Sequence, residues 1–337
     1  MEHKYNYPIK LENVVQNYPW GSPTLIPELL GITNTEGSPY AELWMGSHPR
    51  GPSTLHLSAE NGSKYSASTG QIDLHSALQS YPEDFLGPAA NRFPEGLPFL
   101  FKVLAAAEPL SIQAHPNRQQ AREGFEREEA AGIPIDAFER NYRDKNHKPE
   151  IICALTQFTA MCGFRSPNEI HNWYTTIVPD LYMRLIAPDA EDESGWLQQF
   201  FQSVMNLPQE TQAELIEALY SWAGSSEAKY KEAELIRRFY SHHGANVGVQ
   251  APLFLNLVEL EPGQALYQPA GVLHAYVQGM GVELMANSDN VLRGGLTKKH
   301  VDVPELLRVL SFESRPADIL HGQKADGDLL HYTVPID

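Results

Sequence analysis

The pattern of apolar and polar residues predicts short strands in the first hundred residues. Turn signals containing Gly and Pro separate brief apolar runs there, with one helix predicted near residues 25–30. Two stronger strands are predicted at residues 98–104 and around Gln113, on either side of a turn at residues 108–109. This part of the chain therefore indicates β structure.

Helical periodicity begins after Pro116 and dominates the middle of the chain. The clearest start signal is Ser166, followed by Pro167 and by Glu169 three residues on, a pattern typical of a capped helix N-terminus. The other predicted elements, in order, are a helix at 117–131 capped by Asn117, strands at 150–155 and 157–164, helices at 207–220 and 225–240, a strand at 252–260, a short helix at 302–307 and a terminal strand at 329–337.

This order predicts a mainly β fold with an inserted α-helical domain. Residues 1–165 and 249–305 form the two parts of one β domain, and residues 166–248 form the insertion. Residues 306–337 begin a further domain. Because a terminal strand must pair with another strand, we expect the chain to be shortened relative to its natural form.

Composition and charge narrow the classes of partner. The chain has 337 residues, 42% of them hydrophobic and 20% charged, which is ordinary for a soluble globular protein. A formal charge of −17 argues against nucleic acid and anionic membranes as partners. A small anion needs only a local group of cations, and the segment from Arg293 to His300 supplies one with Lys298 and Lys299.

Two further features indicate a cytoplasmic protein. Cys153 and Cys162 lie in an apolar run and are predicted to be buried free thiols in a reducing compartment. Residues 1–6 are too polar for a secretory signal, and no apolar stretch is long enough to span a bilayer.

Four side chains form a candidate metal site. Gln113 and His115 lie two residues apart in a predicted strand, so both point to one face. Glu150 and His274 complete a set of one amide oxygen, one carboxylate and two imidazoles, which suits zinc or a similar first-row metal. Gln113 and His115 alone would indicate only a polar strand face. The presence of Glu150 and His274 in other segments favours a metal site instead.

Residues 263–274 have the spacing G-x5-P-x-G-x2-H, which resembles the second motif of the cupin β-barrels. Only Gln278 departs from the pattern, because cupins usually have Asn there. The resemblance implies a small jelly-roll barrel that holds a ligand or metal in its mouth, with His274 pointing inward. Cupins host many chemistries, so this motif does not specify a reaction.

Most of the chain resembles the type I mannose-6-phosphate isomerases, and this resemblance is more specific than the cupin motif. The segments that resemble the family, in family order, are WGS at 20–22, AELWMGSHP at 41–49, QAHP at 113–116, DKNHKPE at 144–150 and VELMANSDNVLRGGLT at 282–297. The resemblance implies interconversion of mannose 6-phosphate and fructose 6-phosphate through an enediolate. It also implies a second cupin-like barrel after residue 305, here incomplete. The zinc ligands that it implies, for one Zn²⁺ per chain, are Gln113, His115, Glu150 and His274.

The reaction needs a group that moves a proton between C1 and C2. Lys148 is our first candidate, because it precedes Glu150 by two residues and a nearby dication would disfavour its ammonium form. Lys148 could instead bind phosphate without giving up its proton. His147 is a further candidate, and Asp289 either acts as the base or orients Arg293.

The substrate also needs binding groups. The resemblance places Lys299 and Ser111 at the phosphate and Arg293 near the reacting carbons. Glu42 and Glu283 are predicted pocket carboxylates, and Trp20 is either a sugar platform or, more in keeping with its type, a core residue.

Two alternatives to a zinc isomerase remain open. A non-catalytic cupin could bind a sugar phosphate, although Lys148, Arg293 and all the metal residues are present. A different cupin enzyme, such as a metal dioxygenase, would have no use for the cations Arg293 and Lys299. We expect a monomer that acts on a small sugar phosphate, in either nucleotide-sugar synthesis or mannose catabolism.

Overall fold

The structure, a computed structural model, describes residues 9–57, 71–94, 96–327 and 329–335. The polar residues 1–6 and the last two residues of the predicted terminal strand lie outside the described residues. The strands are β1 Lys10–Glu12, β2 Val14–Gln16, β3 Glu42–Met45, β4 Thr54–His56, β5 Gln71–Asp73, β6 Phe99–Ala106, β7 Ile112–Ala114, β8 Glu150–Ala154, β9 Phe158–Phe164, β10 Leu255–Leu260, β11 Gln264–Gln268, β12 His274–Ala286, β13 Leu292–Gly295, β14 Ile319–His321, β15 Gln323–Lys324 and β16 Leu330–His331. The α-helices are α1 Leu25–Leu30, α2 Leu74–Ser80, α3 Pro82–Leu86, α4 Arg118–Ala130, α5 Pro167–Ile177, α6 Pro179–Leu185, α7 Glu193–Met205, α8 Gln209–Ala223, α9 Lys231–His243, α10 Ala251–Phe254 and α11 Val303–Val309.

Two antiparallel sheets share the long strand β12. We call them the large sheet, with the order β14-β11-β8-β12-β6-β3-β2, and the small sheet, with the order β13-β7-β12-β9-β10. The register of β12 against β9 shifts between Tyr276 and Gln278. The residues of β12 before this shift pair in the small sheet, and those from Gly279 onward pair with β6 and β8 in the large sheet. One strand therefore connects the inner faces of both sheets.

The alternation of side chains along the strands gives the small sheet two buried faces. One face meets the large sheet, and the apolar core between the sheets consists of Leu104, Ala106, Ile152, Ala154, Phe158, Ala160, Cys162, Val258, Leu260, Leu266, Val272 and Tyr276. The other face, with Ile112 and Met161, packs against helix residues that include Tyr174 and Phe200. The helices and the small sheet thus share one continuous core.

Several predicted helix boundaries are confirmed by capping interactions. Asn117 and Ser166 each cap a helix with a reciprocal capping box, at the starts of α4 and α5. Asp302 likewise caps α11 through the backbone N–H of Glu305. Helices α2 and α3 lie in a part of the chain that was predicted to contain strands and loops, and α6 and α7 were not predicted individually. The helix predicted at 225–240 begins later than expected, at Lys231.

One predicted strand is partly wrong. Residues 252–260 were expected to be extended throughout, but α10 occupies Ala251–Phe254 before β10 begins. Pro252 lies in the first turn of this helix, where its missing N–H costs no hydrogen bond. No helix in the described ranges is both long enough and apolar enough to cross a bilayer.

Replacing Gly279 by Ala should destabilise the fold strongly. Gly279 has φ +116, and a Cβ there would lie 2.5 Å from the carbonyl oxygen of Gln157, so we expect a loss of about 2–4 kcal/mol in the free energy of unfolding. Gly263→Ala is the control, because Gly263 has φ +86 but open space around it, and should lose about 1–2 kcal/mol. Urea unfolding measures both, and equal losses would contradict the close approach at β12.

Candidate metal centre and cleft

His115, Glu150 and His274 converge at one end of the space between the two sheets. His115 Nε2 lies 3.4 Å from Glu150 Oε1, and His274 Nε2 lies 3.3 Å from Glu150 Oε2. The potential ligand atoms of the three side chains all lie within 4.8 Å of one another, and all three residues are buried. His115 directly follows β7 of the small sheet, His274 begins the shared strand β12, and Glu150 begins β8 of the large sheet. Together they form a group able to hold a metal ion.

The hydrogen bonds of the two imidazoles prepare their Nε2 atoms as ligands. His115 Nδ1 lies 2.8 Å from the carbonyl oxygen of Asn290, and His274 Nδ1 lies 3.0 Å from that of Val272. If each Nδ1 carries the proton and donates it to a carbonyl, each Nε2 keeps a free lone pair. Burial lowers the pKa of His115 to about 4, so its ring is neutral at neutral pH.

His115 Nε2 is the test of whether a metal fits. It is a buried polar atom without a hydrogen-bond partner among the described residues. A buried ring nitrogen in this condition is costly unless something else binds it. A neutral imidazole pair facing a carboxylate, with no thiolate nearby, suits zinc.

Gln113, the fourth predicted ligand, lies beside this group. In the small sheet it pairs with His274 of β12 on one side and with Arg293 of β13 on the other. Its neighbours Ile112 and Ala114 point into the helix-facing core, so its own side chain points toward the metal group. Its amide nitrogen lies 3.4 Å from Ser111 Oγ.

Lys148 contacts the metal group, as its spacing from Glu150 predicted. Lys148 Nζ lies 3.1 Å from Glu150 Oε1, and both side chains are buried. Burial alone would raise the pKa of Glu150, but the Lys148 ammonium holds it well below its usual range.

A cleft of about 950 Å³ opens above this group. Its walls come from both sheets, from the loop between α4 and β8, and from the end of α9 through His242 and His243. The predicted site residues that line it are Trp20, Glu42, Ser111, Gln113, Lys148, Glu150, His274, Glu283, Asp289, Arg293 and Lys299. The structure therefore gathers eleven predicted residues from distant segments around one space.

Cations crowd one side of the cleft. Burial and the nearby charges of Arg293, Arg143 and Arg50 lower the pKa of Lys299. Burial and Arg143 also lower the pKa of Arg293. Because these like charges repel each other, an anion bound among them would be stabilised.

Comparison with known proteins identifies the family. A family model for the catalytic domain of type I phosphomannose isomerases matches residues 9–167. The mannose-6-phosphate isomerase of Escherichia coli (strain K12) is 43% identical over 334 residues, which cover 97% of this chain and 81% of that protein. The chain belongs to the type I mannose-6-phosphate isomerase family.

More distant members and solved structures of the isomerase family agree. The human mannose-6-phosphate isomerase is 33% identical over 329 residues, covering 90% of this chain and 72% of that protein. A crystal structure of a zinc-bound mannose 6-phosphate isomerase superposes with a TM-score of 0.85 at 40% identity, covering 98% of this chain and 81% of that chain. The membership inferred from the motifs is confirmed.

Two predicted residues occupy unexpected surroundings. Asp289 was predicted either to act as the base or to orient Arg293. Its ion pair is with Arg50, and His48 Nε2 lies 3.6 Å from the same oxygen. His147 does not line the cleft, and its Nε2 lies 3.2 Å from Arg118 Nη2 instead. His147 and Lys148 are consecutive just before β8, but only Lys148 lines the cleft.

Lys102 is a cleft residue that the sequence analysis missed. It is only 7% exposed, and its Nζ lies 2.9 Å from Glu42 Oε1 and 2.7 Å from Glu283 Oε2. Despite burial, which would lower it, the two carboxylates raise the pKa of Lys102 above its usual range. A single lysine within the apolar run of β6 was the signal that could have found it, since a lysine is almost never buried without a partner.

The carboxylates around Lys102 are themselves held by hydrogen bonds. Glu42 Oε2 accepts from Trp44 Nε1 at 2.7 Å, and Glu283 Oε1 accepts from the Tyr276 hydroxyl at 2.7 Å. Burial raises the pKa of Glu283, and Lys102 opposes that shift. The predicted pocket carboxylates thus belong to one fixed network with Lys102.

Lys102→Met should destabilise the protein in a pH-dependent way. The variant leaves two buried carboxylates without their cation, which costs about 3–5 kcal/mol at neutral pH. The folded-state pKa of Glu283 is already raised and would rise further, so the folded variant binds an extra proton at low pH and loses stability as pH increases. Urea unfolding from about pH 5 to about pH 8 should show the deficit relative to the unsubstituted protein growing with pH.

Lys145→Met is the matched control for this measurement. Lys145 pairs with Glu126 at 3.1 Å, but both side chains are more than half exposed, so we expect a loss below about 1 kcal/mol. A deficit for Lys102→Met that stays constant across pH would contradict the buried network.

Proposed function

We propose that this chain is a zinc-dependent aldose-ketose isomerase that interconverts D-mannose 6-phosphate and D-fructose 6-phosphate. The observation that carries the proposal is the unpartnered His115 Nε2 facing Glu150 at the base of a cationic cleft. Sequence identity with named mannose-6-phosphate isomerases over nearly the whole chain supports the choice of substrate. A non-catalytic cupin that only binds a sugar phosphate is not favoured, because Lys148, Arg293 and the candidate metal ligands are all present.

Gln113, His115, Glu150 and His274 would hold one Zn²⁺. The ion, when bound, supplies positive charge beside the sugar oxygens O1 and O2, where negative charge develops. Ser111 lies next to Gln113 and reaches into the same cleft, so substrate and metal ligands are adjacent.

The cation-lined side of the cleft would bind the phosphate. Arg293 offers a planar fork for two phosphate oxygens, whereas Lys299 acts as a point charge. Arg143 adds a third cation for which the described chain provides no ion-pair partner. Arg50 is partly neutralised by Asp289, so it shapes the rim more than it holds the anion.

Lys148 would carry the proton. As an amine, it takes the proton from C2 of mannose 6-phosphate while negative charge moves to O1, which gives the enediolate. The hydroxyl proton of O2 passes to O1, and Lys148 then returns its proton to C1, which leaves the ketone of fructose 6-phosphate. Its contact with Glu150 and its position on the cleft support this role, and Asp289, on the same cleft, is the second candidate for it.

We also propose the finer description of the fold that the resemblance implies. The two sheets would be the jelly-roll barrel of a cupin, with residues 166–248 as a helical insertion. Strand β14, within the predicted second unit at 306–337, pairs with β11 of the large sheet and so would belong to this barrel. The free thiols Cys153 and Cys162 support a reducing compartment, so we propose a cytoplasmic location. We also propose that the chain is a monomer.

The proposal is tested by zinc-dependent turnover. The zinc-loaded chain should convert mannose 6-phosphate to fructose 6-phosphate, measured by coupled reduction of a nicotinamide cofactor. Gln113→Ala and His274→Ala should each lose metal and at least about 100-fold in kcat/KM together, because the ligands hold the ion that the reaction needs. Metal content is measured by elemental analysis of the dialysed protein.

His56→Ala is the control. His56 lies in β4, which forms a separate three-stranded sheet with β1 and β5, and it contacts Glu12. It should retain both metal and activity. Full activity after exhaustive chelation would contradict the metal role, and no turnover by the folded, zinc-bearing chain would contradict the isomerase.

Lys299→Ala should act mainly on substrate binding. Loss of one charge-assisted contact to phosphate should raise KM by about 10- to 100-fold with a small change in kcat. Lys145→Ala, outside the cleft, should leave both parameters unchanged. An unchanged KM for Lys299→Ala would remove Lys299 from the phosphate site.

A further inference from the structure

Gln268, the last residue of β11, is buried in an unusual way. Its side chain is 0% exposed, and neither its amide oxygen nor its amide nitrogen has a hydrogen-bond partner in the described part of the chain. Each buried polar atom without a partner costs about 1–3 kcal/mol, and an apolar side chain of similar length would avoid that cost. The position of Gln268 therefore requires an explanation.

Gln268 is the direct neighbour of the Glu150 metal carboxylate. The two residues pair across β11 and β8, and Met285 of β12 pairs with Glu150 on its other side. Paired residues of an antiparallel sheet project to the same face, with Cβ atoms about 4.5–5.5 Å apart. The next pair on that face, Leu266 and Ile152, packs in the core between the sheets, so Gln268 also points inward.

Gln268 lies on the side of Glu150 that faces away from the cleft. Glu150, His274 and Lys148 line the cleft, whereas Gln268 does not. A substrate in the cleft would therefore meet the metal group and not the amide of Gln268. Any effect of Gln268 on the reaction must pass through Glu150.

Two of the three present partners of Glu150 are imidazoles that a metal would engage. Its Oε1 is near His115 Nε2 and Lys148 Nζ, and its Oε2 is near His274 Nε2. Once both imidazoles turn to a bound ion, Glu150 keeps one donor, Lys148 Nζ, on the cleft side. Met285 has no donor, so Gln268 is the strand neighbour that can supply an N–H from the side away from the cleft.

We propose that Gln268 is a positioning residue for the metal carboxylate. Its Nε2 donates a hydrogen bond to Glu150 in the zinc-bound protein, directly or through one buried water, and so fixes the carboxylate toward the ion. The inference rests on the zinc site proposed above. It extends that site to a residue that touches neither the substrate cleft nor the metal.

Zinc affinity of Q268M is the decisive measurement. Met keeps the length of Gln and removes its amide, so the metal-free protein should keep or gain stability in urea unfolding. Competition with a chromophoric chelator should show zinc binding about 10- to 100-fold weaker than in the unsubstituted protein. Turnover should fall at limiting zinc and recover at saturating zinc with KM unchanged. Q268L, measured in the same way, serves if Q268M does not fold.

Q250M is the matched control. Gln250 is also 0% exposed with an unpartnered Nε2, but its Oε1 accepts from the Tyr174 hydroxyl at 2.6 Å, in the helix-facing core. Q250M should therefore lower the stability of the metal-free protein and leave zinc affinity unchanged.

The outcomes separate this inference from the proposed function. Equal zinc affinity in Q268M and the unsubstituted protein would overturn the role of Gln268 while leaving the zinc site intact. A loss of metal-free stability without a change in affinity would do the same and assign Gln268 to packing. Failure of the unsubstituted protein to bind zinc would contradict the metal site itself.

Discussion

Charged side chains buried between two sheets must find their counter-charges there, and this constraint organises the structure. Lys102 meets it with Glu42 and Glu283 at distances below 3 Å. Glu150 meets it through Lys148 and two imidazoles. Together these groups fill the polar end of a space whose other end is an apolar core, so the same two sheets provide both stability and a reactive surface.

Strand β12 makes this arrangement possible. It carries His274 and Tyr276 in the small sheet and Glu283 in the large sheet, and all three side chains face the space between the sheets. The register shift at Gln278 and the close backbone approach at Gly279 let one strand change sheets. Gln278, which departs from the cupin pattern, accepts a hydrogen bond from Arg238 of α9, so the helices are tied to the strand where it changes sheets.

The cleft shows how an acidic protein can attract an anion. The whole chain carries a formal charge of −17, yet Arg50, Arg143, Arg293 and Lys299 are near enough to disturb one another. Their repulsion is a local cost that a phosphate would remove on binding. A similar cost exists on the side of Glu150 away from the cleft, where the amide of Gln268 is buried without a partner among the described residues. In our proposal, a hydrogen bond to Glu150 removes that cost when zinc is bound.

The sequence by itself determined the family, many element boundaries and a candidate set of metal ligands. Capping residues such as Asn117 and Ser166 act within one helical turn, and Lys148 reaches Glu150 because both lie in one short extended segment. Local spacing is sufficient for such features. Only the tertiary structure decided that Lys102 belongs to the site, that Asp289 pairs with Arg50, and that His147 points away from the cleft. Those contacts depend on strand pairing and on the side of the chain that faces inward, and neither is encoded in the spacing of a single segment.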